Sequence, residues 1–366
     1  MPGRNLVVLF DGTWNKAESG TNVERLTRLI AARDAQGTPQ LSRYIVGVGV
    51  KPGLTRLLGG AFGWGLSDHV QAGYRWLCEQ WQPDDATYLF GFSRGAYTAR
   101  SLGGLIRKCG LLKTGADRRL DAEQVKTAYD FYRTADIHPD DPRAVAFRAQ
   151  HSLEIGVRMI GVWDTVGSLG IPDVASWFPG ARAQYSFHDT ELSKIVQYAY
   201  HAMALNERRA DYAPTKWTRK GTAGETVVEK KPEQAEVEQR WFIGAHADVG
   251  GGYRQDGAGR RPDLLPDLAL AWLQRMAMHA GLAFDAPFVP AADADDAVPN
   301  DSYREFMYGL YRALKPPLER PVGGGVNETV DESVWQRWRS DAGYRPPGLV
   351  EAVIRGSIAA PPDIRP

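Results

Sequence analysis

Short runs of apolar residues alternate along the chain with longer segments in which apolar residues recur every three or four positions. The runs at Leu6–Phe10, Thr87–Phe92 and Arg158–Trp163 predict buried strands, because a strand covered on both faces needs no polar alternation. Arg43–Val50 and Arg240–Ala245 are two further strand predictions. Strands that alternate with helices indicate an α/β fold with a mostly parallel central sheet and helices on both faces.

Helical periodicity fills the segments between these strands. Asn22–Asp34 is predicted to be a helix with Thr21 or Asn22 as its N-cap and an apolar face that includes Leu26. The other predicted helices are Leu66–Trp81, Arg94–Lys108, Ala122–Arg133, Pro142–Leu153, Leu192–Leu205 and Leu264–His279.

The composition narrows the class of protein. The 44 basic residues balance 44 acidic ones, and 43% of the residues are hydrophobic, which excludes a disordered chain. Without a basic surplus we expect no nucleic-acid partner. Cys78 and Cys109 are too few for a disulfide framework and lack metal-ligand spacing. We predict that both are small buried hydrophobic residues, and a single disulfide bridge between them is the alternative.

The sequence contains no recognisable signal peptide or membrane-spanning segment. The apolar run Leu6–Phe10 is shorter than the roughly 7–15 residues of a signal-peptide core. No stretch reaches the roughly 20 apolar residues of a membrane helix. We therefore expect a soluble, cytoplasmic protein, and export by a machine that reads no N-terminal signal is the alternative.

The most specific local pattern is Gly91-Phe92-Ser93-Arg94-Gly95, which fits the G-x-S-x-G nucleophile elbow. It follows a predicted strand and opens a predicted helix, as this motif must. The turn has to be sharp to expose the Ser93 hydroxyl, and side chains at Gly91 and Gly95 would collide across it. The amide of Arg94 is the expected first oxyanion donor, and an ordinary turn serine is the alternative.

A serine nucleophile needs a histidine that accepts its proton. In an α/β-hydrolase the triad runs Ser, acid, His along the chain. This order removes the histidines that lie before Ser93 or close behind it, which leaves His188, His201, His246 and His279 as candidates. His246 follows an apolar run and opens a glycine-rich loop, so we predict that it is the base. The other three are predicted to be structural, with His201 inside a helix.

The acid is predicted to be Asp164, because it directly follows the apolar run that ends at Trp163. There it could accept a hydrogen bond from His246 and fix the imidazole tautomer. Asp248 and Asp211 are the reserve candidates, and a turn-capping Asp164 is the competing interpretation.

A second loop with candidate chemistry follows the first strand. Gly12 allows a sharp turn there, and the amide of Gly12 or Thr13 is a candidate second oxyanion donor. Asp11 could organise this loop, pair with an arginine or hold a metal, and the residues alone leave these alternatives open.

Four segments together resemble one family: FDGTWN, GFSRGAYTAR, GVWDTVGSLG and FIGAHADVGGGY. The chain resembles the family called domain of unknown function 2235, the catalytic domain of one class of type VI secretion phospholipase effectors. The resemblance implies an α/β-hydrolase fold with a Ser-Asp-His triad on Ser93, Asp164 and His246. It covers about residues 4–255, the motif core, with an extension to residue 345 as the alternative.

Two departures from the family pattern stand out. Asn206 occupies a position that is usually acidic in the segment His201–Arg209. Asp331 stands where members often carry a late histidine. If that histidine were the true base this chain would be inactive, but the retained His246 argues against it.

The motif order spreads one hydrolase sheet over most of the length, so we predict a single α/β-hydrolase-like domain over residues 1–366. The strongly charged residues 216–239 are predicted to be an exposed insertion. Residues 283–300, rich in Ala, Asp and Pro, are predicted to be a loop or linker. Residues 301–366 are predicted to be a helical extension without recognisable chemistry.

The function predicted from these features is a serine hydrolase that cleaves carboxylic esters, namely acyl esters of lipids or phospholipids, through an acyl-enzyme. It needs no cofactor and no metal. The alternatives are a metal-dependent phosphohydrolase that uses Asp11, His246 and Asp248 as ligands, and a non-catalytic interaction module. Expected partners are a lipid or ester substrate and a peripheral membrane surface, with a secretion machine or immunity protein if the chain is a toxin. Candidates for an acyl-binding or membrane-contacting surface are Trp14, Trp64 and Trp177, with packing in the core as the alternative.

Overall fold

A seven-stranded, wholly parallel sheet forms the centre of the computed structural model. The structure describes residues 3–12, 19–47, 61–167, 191–221, 224–253, 264–306, 311–312 and 315–365, with the backbone alone at 61–64. The strands of the sheet are β1 (Asn5–Phe10), β2 (Gln40–Ile45), β3 (Ala86–Phe92), β6 (Val157–Trp163), β7 (Val196–Ala204), β8 (Glu236–Phe242) and β9 (Glu328–Val330). Their order in space is β2-β1-β3-β6-β7-β8-β9.

A separate two-stranded antiparallel ribbon pairs β4 (Leu111–Leu112) with β5 (Ser152–Leu153). The helices between and after the strands are α1 (Asn22–Leu29), α2 (Ala61–Gln80), α3 (Arg94–Cys109), α4 (Ala122–Arg133), α5 (Pro142–His151), α6 (His246–Gly250), α7 (Leu265–His279), α8 (Ser302–Glu305), α9 (Glu332–Ser340) and α10 (Pro347–Ile354). Among the described helices, none is both long enough and apolar enough to cross a membrane.

The side chains of β1 alternate between two hydrophobic cores, one on each face of the sheet. Val7 and Leu9 pack with residues of α1 and α7. Leu6 and Val8, which point the other way, pack with residues of α2, α3 and α4. Every residue of β1 is buried, which explains its continuous apolar pattern. The predicted α/β fold, with a parallel sheet covered by helices on both faces, is confirmed.

The parallel arrangement brings the carboxyl ends of the strands to one edge of the sheet. Phe10 pairs in register with Gly91, and Phe92 pairs with Trp163. The residues that follow these strands, Asp11, Ser93 and Asp164, therefore meet at that edge. This is the place where ligands bind in open α/β sheets.

The prediction of a helix at Leu192–Leu205 is wrong. Residues Val196–Ala204 form β7, which hydrogen-bonds to β6 on one side and β8 on the other. Three alanines in this strand favour a helix locally. They fit a central strand because α7 packs on one of its faces and the Trp217 side chain covers the other, so tertiary packing overrides the local propensity.

The prediction of an exposed insertion at 216–239 is wrong at both of its ends. Trp217 is only 1% exposed, and Gln239 is fully buried within β8. Residues between them, such as Glu225 and Val228, are exposed as predicted.

Residues 301–366 are not purely helical, because β9 extends the sheet at its edge beside β8. The two tryptophans of α9 pack into one core with Trp241 of β8.

Several element ends also differ from the predictions. α1 ends at Leu29 rather than at Asp34, and β2 begins three residues earlier than the predicted start at Arg43. The end of that predicted strand, residues 48–50, lies outside the described residues. α5 ends at His151, and the last two residues of that prediction form β5 instead. Within residues 283–300 the structure has one short 3-10 turn, in agreement with a loop.

Candidate active site

Ser93 occupies the sharp turn between β3 and α3. Its backbone has φ 59° and ψ −121°, a region that residues with a side chain rarely adopt. A Cβ atom added at Gly95 would lie 2.2 Å from the Phe10 carbonyl oxygen, and one at Gly91 would lie 2.3 Å from the Gly95 carbonyl oxygen. Both glycines are therefore required for the close approach of α3 to the ends of β1 and β3.

The three side chains that the sequence singled out form one hydrogen-bonded chain. Ser93 Oγ lies 2.8 Å from His246 Nε2, and His246 Nδ1 lies 2.6 Å from Asp164 Oδ2. All three residues are buried: Ser93 is 8% exposed, His246 6%, and Asp164 is fully buried. This is the arrangement in which an imidazole can take a proton from a serine hydroxyl.

His246 is held from several directions at the start of α6. Its ring contacts the Phe92 ring, with centroids 4.7 Å apart, and the Tyr212 ring at 4.9 Å. Burial lowers the pKa of His246 below its ordinary value, and the Asp164 carboxylate opposes this shift only in part. The imidazole is therefore neutral near pH 7, so Nδ1 donates to Asp164 and Nε2 accepts from Ser93.

Asp164 is bound by more groups than His246 alone. Its Oδ1 accepts from the Ala204 amide at 2.9 Å and from Arg320 Nη1 at 2.6 Å, while its Oδ2 accepts from Arg320 Nη2 at 2.9 Å. Burial alone would raise the pKa of this carboxyl, but the Arg320 charge and the bond from His246 outweigh burial and hold the pKa well below its usual range. Asp164 is therefore ionised at physiological pH.

A second buried carboxylate supports the histidine from its backbone side. Glu207 is fully buried, and its Oε2 accepts from the His246 amide at 3.2 Å and from the Ser302 hydroxyl at 2.9 Å. Arg209 donates to both carboxylate oxygens and lies 3.6 Å above the Tyr212 ring. Burial would raise the pKa of Glu207, but Arg209 lowers it to about 2. The sequence predictions missed Glu207, Arg209 and Arg320.

The reserve acids bind elsewhere. Asp248 accepts from the amides of Ala245 and Asn300 and from Asn300 Nδ2, so it caps α6 rather than binding the imidazole of His246. Burial raises the pKa of Asp248 to about 6. Asp211 binds Lys315 and Tyr311. Asp164 is the carboxylate that the structure brings to the imidazole of His246.

The loop after β1 is organised by Asp11. Its carboxylate accepts from the Gly12 amide, the Thr21 hydroxyl and the Tyr44 hydroxyl, each at 2.6 Å. The Gly12 amide would have to exchange this bond to hold an oxyanion. Thr13, the other candidate donor, lies outside the described residues. Arg94 is the first residue of α3, and its amide therefore points out of the helix N-terminus, beside Ser93.

The residues of the metal-dependent alternative, Asp11, His246 and Asp248, do not form a metal site. Among the described residues, no three His, Cys, Asp or Glu side chains are grouped so that they could hold a metal ion. Asp11 and Asp248 have the hydrogen bonds given above, and His246 lies between Ser93 and Asp164. Trp14 and Trp177, named for membrane contact, lie outside the described residues, and nothing is described of the Trp64 side chain.

The remaining histidine candidates have other positions. His188 lies outside the described residues, and His279 is an exposed residue at the end of α7, 3.4 Å from Glu236. His201 lies on β7, not in a helix as predicted, and is fully buried. Its Nε2 accepts from the Thr165 amide at 3.0 Å and its Nδ1 faces Gln239 Oε1 at 3.3 Å. His201 thus fixes the backbone directly after Asp164.

The burial of His201 predicts that the folded protein loses stability in acid. Burial lowers its pKa to about 3, from 6.5, so below pH 6.5 the unfolded chain binds a proton that the folded chain does not. Stability is therefore fully present above pH 6.5 and falls as the pH drops toward 3, with ~2 kcal/mol lost by pH 5. Urea unfolding of wild type and His201→Gln between pH 4 and 8 measures this.

The pH dependence should be weaker in His201→Gln, because a glutamine can accept the Thr165 bond without titrating. His138→Gln is the matched control, since the His138 side chain is 79% exposed, and it should follow the wild-type curve. Parallel curves for wild type and His201→Gln would contradict the prediction.

The chain is similar to known proteins over much of its length. A family model described as "T6SS, Phospholipase effector Tle1-like, catalytic domain" matches residues 4–276. An uncharacterized protein of Saccharomyces cerevisiae is 29% identical over an alignment that covers 57% of this chain and 32% of the yeast protein. A crystal structure of an uncharacterized protein from Pseudomonas aeruginosa superposes with a TM-score of 0.48 at 18% identity, covering 86% of this chain and 51% of that chain. The chain thus spans about a third of the yeast protein and half of the solved one.

Proposed function

The chain belongs to the family of T6SS Tle1-like phospholipase effector catalytic domains, and from this premise we propose that it is a serine hydrolase that cleaves acyl esters of phospholipids. The observation that carries the proposal is the buried hydrogen-bonded chain from Ser93 through His246 to Asp164. The family membership supports a lipid substrate, and the three hydrogen-bonded side chains support hydrolysis through a serine nucleophile.

The proposed reaction begins when Ser93 Oγ attacks the ester carbonyl carbon while His246 Nε2 takes the hydroxyl proton. The amide of Arg94 stabilises the oxyanion, and Gly12 or Thr13 provides the second donor. His246 then protonates the leaving alcohol oxygen, and an acyl-enzyme remains on Ser93. Water, deprotonated by His246, releases the fatty acid. Asp164 orients the imidazole and stabilises its protonated form throughout.

The surroundings of the triad suit this reaction. The rings of Phe92 and Tyr212 lie against His246 and keep water from its edges. Phe306 lies beside Tyr212, with ring centroids 6.3 Å apart, and is 37% exposed. We propose that this aromatic group receives part of the acyl chain, and that the protein contacts the membrane surface through it. A secretion machine and an immunity protein are further proposed partners if the chain acts as a toxin.

Covalent labelling with a fluorophosphonate tests the nucleophile directly. The wild-type protein should be labelled on Ser93, and Ser93→Ala should not be labelled. Ser101→Ala, a change on the same helix, is the matched control and should label like the wild type. Labelling that survives Ser93→Ala would remove the proposed mechanism, and no labelling of the wild type would favour a non-catalytic interaction module.

A lipid panel analysed by mass spectrometry tests the substrate class. Phospholipid vesicles should yield free fatty acid and lysophospholipid, the products of carboxylic ester cleavage. Release of a phosphorylated head group with diacylglycerol would contradict the proposed bond. Turnover of soluble short-chain esters without any phospholipid turnover would contradict the lipid substrate while leaving the serine mechanism in place.

A further inference from the structure

A buried arginine from the C-terminal part of the chain binds the carboxylate of the candidate triad. The Arg320 side chain is fully buried, and its two terminal nitrogens form the bidentate pair with Asp164 described above. The same two nitrogens donate to the carbonyl oxygens of Ala204 and Tyr212, at 2.7 and 2.5 Å. The guanidinium thus joins the end of β6, the end of β7 and the segment that carries Tyr212.

The backbone at Arg320 is itself held firmly. A Cβ atom added at Gly348, near the start of α10, would lie 2.0 Å from the Arg320 carbonyl oxygen, so the two segments are in direct contact. Val322 is buried in the core formed by α9 and α10. Arg320 follows the region 4–276 that the family model matches, so the pair with Asp164 is a feature of this chain's C-terminal part.

The charge of Arg320 alters the electrostatics of the base. An isolated Asp164 carboxylate would stabilise the His246 imidazolium strongly, whereas a carboxylate already paired with a guanidinium stabilises it less. Other charged or titratable groups also face this site: Glu207, Arg209 and Tyr212 after β7, Asp248 on α6, Arg94 and Arg100 on α3, and His201 on β7. Unlike these groups, Arg320 contacts both oxygens of Asp164.

We propose that Arg320 is a positioning residue for the triad, which orients Asp164 and extends the activity of His246 to lower pH by neutralising the Asp164 charge. This rests on the proposed serine hydrolase function. His246 must be neutral to act as a base, so a less stable imidazolium keeps the enzyme active at lower pH. Arg320 is fully buried and binds Asp164, not Ser93, so it acts through Asp164.

Two substitutions separate the charge of Arg320 from its geometry. In Arg320→Met the charge is lost, and the acid limb of the kcat/KM profile should move up by about one to two pH units. We expect this shift whether the proton between Asp164 and His246 lies on the carboxylate or on the imidazole. In Arg320→Lys the charge stays but the fork is lost, so the acid limb should stay within about half a unit while kcat falls about tenfold. Arg148→Met, another buried arginine far from the triad, controls for destabilisation and should leave the acid limb in place.

A readout that needs no turnover keeps this inference separate from the proposed function. The His246 imidazole is titrated by nuclear magnetic resonance in the free wild type and in each variant. Its pKa should be lowest in the wild type and Arg320→Lys, and higher in Arg320→Met. If no ester is hydrolysed and Ser93 is not labelled, the proposed function fails, and this titration still decides the role of Arg320.

Equal His246 titrations in the three proteins would overturn the proposal. An acid limb that moves as far in Arg320→Lys as in Arg320→Met would also overturn it, because the charge would then not be the cause. If Arg320→Met does not unfold cooperatively, Arg320→Lys decides alone. If Arg320→Lys had the kcat of the wild type and the same resonance for the Nδ1 proton of His246, the bidentate guanidinium contact would not position Asp164.

Discussion

Ser93→Gly is expected to abolish ester hydrolysis and, at the same time, to fold more stably than Ser93→Ala. Loss of the nucleophile should lower kcat by roughly 10⁴- to 10⁶-fold in both variants. The stability difference arises from the backbone, because Ser93 has φ 59° and ψ −121°. A residue with a Cβ is strained in such a conformation by roughly 1–3 kcal/mol, and glycine is not.

Comparing glycine with alanine isolates this strain. Neither variant has the hydroxyl that binds His246, so the lost hydrogen bond cancels in the comparison. Glycine loses more backbone entropy on folding, by roughly 0.5–1 kcal/mol, which opposes the relief of strain. We therefore expect Ser93→Gly to exceed Ser93→Ala by about 1 kcal/mol in the free energy of unfolding.

Urea unfolding of the three proteins measures the difference, with equal m-values as the check that the same transition is compared. Gly115→Ala provides a reference for an ordinary glycine exchange, since a Cβ there would meet only the Asp117 carboxylate, at 3.4 Å, which is an ordinary van der Waals contact. If Ser93→Gly were less stable than Ser93→Ala, the backbone of Ser93 would not be strained in the folded protein.

The three residues of the hydrogen-bonded chain could be predicted because each follows an apolar run along the sequence. A run of buried residues marks a central parallel strand, and parallel strands deliver their carboxyl ends to one edge. Ser93, Asp164 and His246 could thus be brought together before any distance was known. Asp11 was placed at the same edge by the same argument, although its hydrogen-bond partners were not foreseen.

Arg320 could not be found in this way. It lies 156 residues after Asp164 along the chain, beside prolines and glycines that carry no periodic pattern. The chain has 44 basic residues, and nothing local distinguishes a buried arginine from a solvated one. Its position depends on β9, α9 and α10 packing beside β8, which is a long-range contact. Glu207 was missed although it lies in the segment His201–Arg209, because Asn206 was the residue that departed from the family pattern.

The error at β7 has a related cause. Local propensity supports a helix for a segment that contains several alanines, and only the sheet context makes it a strand. The correction matters for the site, because β7 carries two contacts to the Asp164 segment. The amide of Ala204 donates to the Asp164 carboxylate, and the His201 side chain accepts from the Thr165 amide. A helix at these positions would leave both groups without their partners.

Asp164→Asn is expected to lower kcat by roughly 10⁴-fold. An asparagine oxygen can still accept from Nδ1 of His246, but it carries no charge to stabilise the imidazolium, and its amide can instead impose the wrong tautomer. Asp248→Asn is the control, because Asp248 caps α6 without touching the imidazole, and its kcat should change far less. A kcat for Asp164→Asn within tenfold of the wild type would contradict the assignment of the acid.

The same substitution should also destabilise the fold, and a double variant separates the two effects. Asp164→Asn leaves the fully buried Arg320 without its counterion, which costs about 3–5 kcal/mol when one partner of a buried pair is removed. Asp164→Asn with Arg320→Met removes both charges and should recover most of that stability, as measured by urea unfolding. Its kcat should remain as low as in Asp164→Asn, because neither change restores the negative charge beside His246. Recovery of activity together with stability would show that the loss in the single variant came from misfolding and not from the missing carboxylate.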